Sequence, residues 1–590
     1  MCKVNTSLMI FIEIIQFFVG KRNLASRKAF SKRGILCALI IFNTFISSVS
    51  MSQSFLSAKF YSSSASSFIN DIVSDNSGNT FSTGFFYNNI SFDSITLASN
   101  SNSSNGFLIK SDGQGTLQWA VSMRSPSMQS NAIEITLDGS LYVAGWFKTK
   151  LIIGNDSIVS TSQNNTFIAK FSNSGNLLWM KHFNGAGVPS SQRMNINNLT
   201  KDNQGNIYYT GYFESQIIFQ NTTLTSSGTS DGFFGKINAS GNSIWFKKFG
   251  GNYSGTCGLP NNDSGNSIFI DNLGNLFLAG HYAFNFNLGG QTLTGTNDID
   301  SFFAKADTSG NIDWIKSING NGVQTISSIT ADALGNPILL LSFQLNCYIN
   351  GDTLQSNTQF GSPYDFVILK YNSSGNIIWY RQEGYTAGND NIKVAVSDNS
   401  GNIYIYGNFA DNTEICDSLL TTYPNWTDKI YVASYNSNGN PNFVVQCGGQ
   451  RNYPGGMTLN QNEDIILAGC AELGTFSGIN FGAFSCNEPG TFHPFIVTLE
   501  NPTLGAGIKF KSKSEPFTIF PNPTCENVNI IFDSSLSKLS YSISDNTGRI
   551  CLSGTLTLEN KIIDLRNLAQ GIYILRLEND MKQAYKIIKL

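Results

Sequence analysis

The residues that could do chemistry in this chain are few. Three histidines, His182, His281 and His493, stand far apart in 590 residues, which argues against a histidine-rich metal centre. No Gly-x-Ser-x-Gly, His-Glu-x-x-His or phosphate-binding loop occurs. Asp-Asn-x-Gly-Asn segments recur, but they lack the Asp-x-Asp-x-Asp-Gly frame and distal Glu that would give calcium enough oxygen ligands. Cleavage of a glycosidic bond needs two carboxyl groups roughly 5–10 Å apart. Asp263 and Asp390 are conceivable partners, and nothing in their spacing singles them out. No metal or cofactor is expected. What remains is a scatter of aromatic and charged residues in Gly- and Asn-rich stretches: Arg193, Tyr253, Tyr385, Asp390, Arg451 and Tyr453. Aromatic faces with a few charges suit a sugar or a peptide. A net charge of −3 offers nucleic acid no basic surface.

Those residues need a scaffold, and the composition indicates which kind. Charged residues make up 13% of the chain, against roughly 25% in an average soluble protein. With 55 Gly and 44 Phe, the mix fits many short strands joined by tight turns. The octapeptide SNSGNLLW (172–179) returns as NASGNSIW (238–245), DTSGNIDW (307–314) and NSSGNIIW (372–379), with looser copies at 112–119 and 436–443. A second segment, such as KDNQGNIYYTG (201–211) or IDNLGNLFLAG (270–280), occurs seven times, 61 to 69 residues apart. Apolar–polar alternation divides each period into four strands, A to D. The second segment holds the A–B turn and the octapeptide holds the C–D turn. Gly supplies the positive φ of a tight turn, Asn or Asp caps it, and the Trp falls on strand D between adjacent sheets. An excursion between B and C, for example FNLGGQTLTGT (286–296), lengthens the period.

The two ends decide between an open stack and a ring. The last repeat runs through strand C at PFIVTL (494–499) with no Gly-Asn turn or Trp after it. Meanwhile LSAKFYSS (56–63) precedes the first strand A like an orphan strand D. A strand missing at one end and surplus at the other predicts an all-β fold, a seven-bladed β-propeller closed by its N-terminal strand. A–B and C–D turns then share one face. The D–A loops, which carry the six residues named above, share the other face with the B–C excursions, and variable loops on a rigid frame are the usual home of binding residues.

Over roughly residues 53–506 the repeats resemble the seven-bladed propeller repeats of secreted bacterial proteins, a resemblance that implies a fold more than an activity. They depart from sialidase-type propellers, whose Asp-box places Gly three residues before Trp; here Gly175 precedes Trp179 by four. Those enzymes also use an arginine cluster, where this region holds only Arg124, Arg193, Arg381 and Arg451. Past a linker at 507–516, residues 517–590 read as a small Ig-like β-sandwich. Phe520-Pro521-Asn522-Pro523, Asp545 with Gly548-Arg549, Leu568-Ala569 with Gly571-Ile572-Tyr573, and Lys586-Ile587-Ile588 closely resemble the type A C-terminal sorting domain of type IX secretion cargo in Bacteroidetes. That resemblance implies the secretion machinery as a partner, passage across the outer membrane, removal of the tail and often attachment to surface lipopolysaccharide. It also implies Pro521, Asn522, Pro523, Gly548, Gly571, Tyr573 and Lys586 as residues of the sorting signal.

At the other end, Lys28, Lys32 and Arg33 precede the apolar run ILCALIIFNTFI (35–46), with Ser48 and Ser50 after it. Residues 1–50 therefore read as a signal peptide and leader cleaved near Ser50, the run being too short for a comfortable membrane span, so no permanent transmembrane segment is expected. Eight of the ten Cys lie beyond that leader, with no CxxC among them, which predicts structural pairs or buried thiols. Cys470 and Cys486 could face each other on neighbouring strands. The chain is thus expected to be a binding or interaction scaffold for a glycan or protein, secreted or displayed on the cell surface by way of the periplasm. The alternative is a carbohydrate-active hydrolase with acids on the D–A loop face.

Overall fold

The computed structural model describes residues 54–99, 103–185, 193–252, 263–356, 364–384, 390–410, 412–422, 428–449, 451–472, 479–486, 492–501, 517–520, 524, 526–532, 538–545, 549–557, 561–578 and 583–589. Every regular element among them is a strand. The chain forms two compact units, Met1–Thr503 and Leu504–Leu590.

In the larger unit, antiparallel strands pair in the order A–B–C–D. The third repeat shows the pattern: Met194–Lys201, Ile207–Phe213, Asp231–Ile237 and Ser243–Phe249 follow one another across a single sheet. The same succession starts at Ser67, Met128, Ser264, Gln324 and Asp390. The last set, Arg451–Leu459, Ile465–Glu472 and His493–Leu499, takes its fourth strand from the other end of the chain, where Phe55–Phe60 pairs antiparallel with His493–Leu499.

Turn chemistry sets these boundaries. Asp202 Oδ1 accepts the N–H of Gln204 at 3.0 Å and of Asn206 at 2.9 Å, while Oδ2 accepts the Asn206 side-chain amide at 2.8 Å. Gly205 closes that turn at φ +79°, where a side chain would be strained. Asp75, Asp271, Asp332 and Asp398 do the same in their repeats. The recurrent Asp and Asn are turn caps.

The octapeptide does more than turn the chain. Trp179 Nε1 donates to Ala239 O at 3.1 Å, in the C–D turn of the following repeat, and a Cβ on Gly241 would lie 3.1 Å from the indole ring. Trp119, Trp245 and Trp379 donate to Asn173, Thr308 and Ser437 in the same way. The Gly and the Trp of one octapeptide therefore serve different seams, because each turn receives the ring of the repeat before it. Replacing Trp179 by Phe removes the N–H bond and the outer indole atoms that lie over Gly241, and is expected to cost about 2 kcal/mol. Ala at that place leaves a partly open cavity and is expected to cost about 3 kcal/mol. Thermal unfolding reads both; an alanine variant melting with the parent would show that the seam contact has no weight.

The B–C excursions are hairpins docked on the preceding repeat. In the third repeat, Gln216–Phe219 and Thr222–Thr225 form the hairpin, and Ile217 and Ile218 pair with Gly185 and Asn184 at the end of the second strand D. Equivalent pairings join Ile152 to Arg124, Asn287 to Gly250, Cys347 to Gly320 and Asn480 to Gly448. In the sixth repeat Glu414 O accepts the N–H of Gly384 at 3.1 Å. The first repeat's hairpin meets Ser62–Ser63, directly after the N-terminal strand. That strand also bulges at Leu56, the place where the other D strands bulge at Gln118, Leu178, Ile244, Asp313, Ile378 and Asn442. It behaves as a strand D in pairing, bulge and docking.

Strand A is the first strand of each sheet and bulges once in each repeat, at Asn70, Asn131, Asn197, Asn266, Ser327 and Lys393, and at Gly455-Gly456. The bulge turns side chains toward the neighbouring repeat. Asn70, Asn197 and Asn266 donate to Ser130 O, Gly265 O and Ile326 O at 2.8, 2.8 and 3.0 Å. One residue on, Asp71, Asn198, Ser267 and Ser328 accept the N–H of Ile133, Ile268, Ile329 and Ala395. Ser74 Oγ donates to Leu459 O at 2.6 Å, which joins the last strand A to the first.

The smaller unit has two antiparallel sheets. Phe517–Phe520, Asn527–Phe532 and Ile562–Asp564 form one; Ile550–Thr557, Lys538–Ser544, Gly571–Glu578 and Gln583–Lys589 form the other. Val528, Ile530 and Ile563 from the first meet Ile543, Leu575 and Ile587 from the second in one core. Cys347, Cys416, Cys447 and Cys470 are buried free thiols, so the expected facing of Cys470 and Cys486 makes no disulfide.

Candidate functional site

The face that carries the D–A loops was the expected recognition surface, and the structure sorts its residues. Arg193 is exposed and paired, its Nε lying 2.9 Å from Glu214 Oε1. Arg451 is likewise exposed, with Nη1 at 3.5 Å from Glu472 Oε2. Tyr453 is 38% exposed. Tyr253 and Tyr385 lie outside the described residues. Asp390 is not on the loop surface at all: it opens strand A of the sixth repeat, is fully buried, and accepts a hydrogen bond from Thr413 Oγ1 at 2.8 Å. The reason is that the strand begins earlier than its apolar alternation shows, which draws the carboxylate inside to anchor the neighbouring hairpin.

Around Tyr453 the structure gathers a group of rings. Its ring meets Phe68 edge-on at 5.2 Å and Phe492 at 6.4 Å; Phe68 stacks on Phe85 at 5.1 Å, and Tyr87 meets Phe85 edge-on at 6.1 Å. Phe68, Phe85, Tyr87 and Phe492 are half-buried, so part of each ring stays open. Strand register explains why they were missed in sequence. Phe68 and Tyr453 both lie two residues before the bulge of strand A, where the other repeats carry Gln129, Asn195, Ser264, Thr325 and Asn391. Two adjacent repeats replace a polar residue with an aromatic one. Only alignment of the repeats on their bulges would have exposed that signal.

The acids considered for hydrolysis are otherwise engaged. Asp263 is buried and accepts Gly251 N–H at 2.7 Å and Ala283 N–H at 3.0 Å. Burial pushes its carboxyl up to about 7 in spite of those donors, with Asp231 adding to the rise. It fastens a loop to strand B of the fourth repeat. Burial holds His182 below its usual range and lowers His281 to about 4, and Asn266 lies 3.1 Å from His281 Nδ1. Among the described residues, no three His, Cys, Asp or Glu side chains converge as a metal site would require.

In the smaller unit, Tyr573 is buried and its hydroxyl donates to Ala569 O at 2.9 Å, which fixes the bend before strand Gly571–Glu578. Gly571 opens that strand, and Lys586 pairs by its backbone with Ile574 in the last one. Pro521, Asn522, Pro523 and Gly548 lie outside the described residues.

Residues 518–589 match the family described as the secretion system C-terminal sorting domain. No curated protein matches the chain in sequence. Among solved structures, an extracellular domain from B. thetaiotaomicron is 11% identical over 88% of this chain and 80% of that one, with a TM-score of 0.20. A PL25 polysaccharide lyase, an ulvan lyase, is 10% identical over 70% and 93%, with a TM-score of 0.37. A eukaryotic initiation factor is 9% identical over 67% and 89%, with a TM-score of 0.27. Likenesses this distant say nothing of activity. No helix among the described residues is long and apolar enough to cross a membrane. The tail is the telling match: the chain carries a type IX secretion signal and is an extracellular or cell-surface protein.

Proposed function

We propose that residues 53–506 are a seven-bladed β-propeller closed by its N-terminal strand, acting outside the cell as a glycan-binding scaffold. In this reading residues 517–590 are an Ig-like sandwich that addresses the chain to the secretion machinery. The ring is supported by the N-terminal strand, which has the pairing, the bulge and the hairpin docking of a strand D. The binding role rests on one observation, the group of half-open rings around Tyr453 where the first and last repeats meet. Sugar rings present C–H faces that stack on aromatic faces, and Arg451 with Glu472 supplies hydrogen-bonding groups nearby. The hydrolase alternative has no comparable support, since Asp263 and Asp390 are buried and hold hydrogen bonds within the fold.

A glycan array tests the proposal with the parent chain, Tyr453→Ala and Phe68→Ala. Loss of one stacking ring is expected to weaken binding about tenfold, on the order of 1.4 kcal/mol. A binding profile identical in all three chains, or no bound glycan for the parent, would remove the reading.

A further inference from the structure

Register alignment of the repeats reveals one charged residue where the others are apolar. Tyr61, Met123, Phe183, Phe249, Ile318 and Cys447, each five residues past the bulge of strand D, occupy the same position in six repeats. In the fifth repeat that position is Glu383, opposite Phe366 and 1% exposed. A carboxylate in a core position is costly unless donors surround it. Here one oxygen takes them all: Oε1 accepts Arg381 Nε, Tyr435 OH at 2.7 Å and Cys416 N–H at 3.4 Å. Oε2 accepts no hydrogen bond from a described residue.

Glu383 lines a groove of about 380 Å³ together with Tyr380, Arg381, Gln382, Glu414 and Asp417. Strand D of the fifth repeat, Ile377–Glu383, contributes four of these, and the hairpin of the sixth repeat, Thr413–Ile415 with Ser418–Leu420, brings Glu414 and Asp417. The only guanidinium in that lining is already committed. Arg381 bonds Glu383 and Asp417, and its plane lies 5.6 Å from the Tyr435 ring centroid. Glu383, Glu414 and Asp417 therefore face the groove against a single positive charge.

The geometry points to a binding site for a small ligand bearing a primary ammonium group, such as an amino sugar, which would donate to Glu383 Oε2. Glu414 and Asp417 would supply the remaining negative potential. The site rests on the reading of the larger unit as a binding scaffold and gives it a second pocket, chemically distinct from the rings around Tyr453.

Calorimetric titration of the full chain with glucosamine, N-acetylglucosamine and glucose tests it. Glucosamine should bind, and acetylation, which removes the charge but keeps the ring, should weaken binding at least about tenfold. Glu383→Gln keeps the volume and should cause a similar loss; Glu414→Gln, an exposed change that cannot disturb folding, should weaken binding severalfold. If Glu383→Gln does not fold, Glu414→Gln and Asp417→Asn decide together. Equal binding of glucosamine and N-acetylglucosamine, no heat with glucosamine at millimolar concentration, or unchanged binding in all folded carboxylate variants would overturn the assignment. A glucosamine signal lost in Tyr453→Ala and kept in Glu383→Gln would overturn this pocket while leaving the glycan reading intact.

Discussion

A chain shortened to begin at Ser64 is expected to melt far below the parent and to self-associate. The missing segment takes with it Phe55 and Phe60, whose rings pack on Phe481 at 5.6 and 5.9 Å, and Tyr61, buried against Phe92 at 4.9 Å. Burial of three such side chains amounts to about 5 kcal/mol. The same cut removes Ser62–Ser63, onto which the first repeat's hairpin docks. It also strips the outer edge of His493–Leu499, and a bare edge of backbone N–H and C=O groups invites pairing with another chain. Size exclusion and thermal unfolding would show both effects. A synthetic peptide of residues 54–63 added in trans should restore part of the stability by filling that edge. A shortened chain that stays monomeric and melts with the parent would mean that the N-terminal strand is dispensable and would overturn the proposed ring.

That strand was legible in sequence because a repeat protein counts its own parts: LSAKF has the form of a strand D, and no Gly-Asn turn or Trp follows PFIVTL. The turns were legible too, since Asp and Gly at fixed offsets leave the backbone few alternatives. Contacts between repeats were not. The indole of Trp179 and the turn glycine it meets, Gly241, belong to successive copies of one motif, and no pattern within a single copy reveals the pairing. The B–C excursions read as variable loops, yet Ile217 and Ile218 show them as hairpins fixed to the preceding sheet. Loop-like composition around Asp263 and Asp390 suggested accessible acids, but both carboxylates are buried as anchors. Phe68 and Glu383 were visible in principle. Each breaks the residue type of its repeat position, but that position is defined only once the bulges set the register.

Gly280→Ala is expected to be among the most damaging single substitutions in the larger unit. The bulge at Asn266 brings the backbone of strand A against strand B, so that a Cβ on Gly280 would fall 1.8 Å from Ser264 O and 2.9 Å from Phe302 Cε1. Neither neighbour can yield freely, one being backbone and the other a fully buried ring. A loss of at least about 3 kcal/mol is expected, read as the shift of the larger unit's transition in urea unfolding. Cross-strand partners explain why Gly recurs here. Gly84, Gly145, Gly211, Gly280, Gly407 and Gly469 lie opposite Phe107, Phe167, Phe233, Phe302, Tyr431 and Phe495. The fifth repeat instead places Leu341 opposite Val367. Six repeats set an aromatic residue opposite a glycine, with the ring against it at Gly211, Gly280, Gly407 and Gly469, and the fifth pairs two aliphatic side chains instead. Combining Gly280→Leu with Phe302→Val should therefore recover part of the stability lost in Gly280→Leu alone. Strictly additive losses would show that the ring and the glycine do not share the space, and the recurrence of glycine would then rest on the bulge carbonyl by itself.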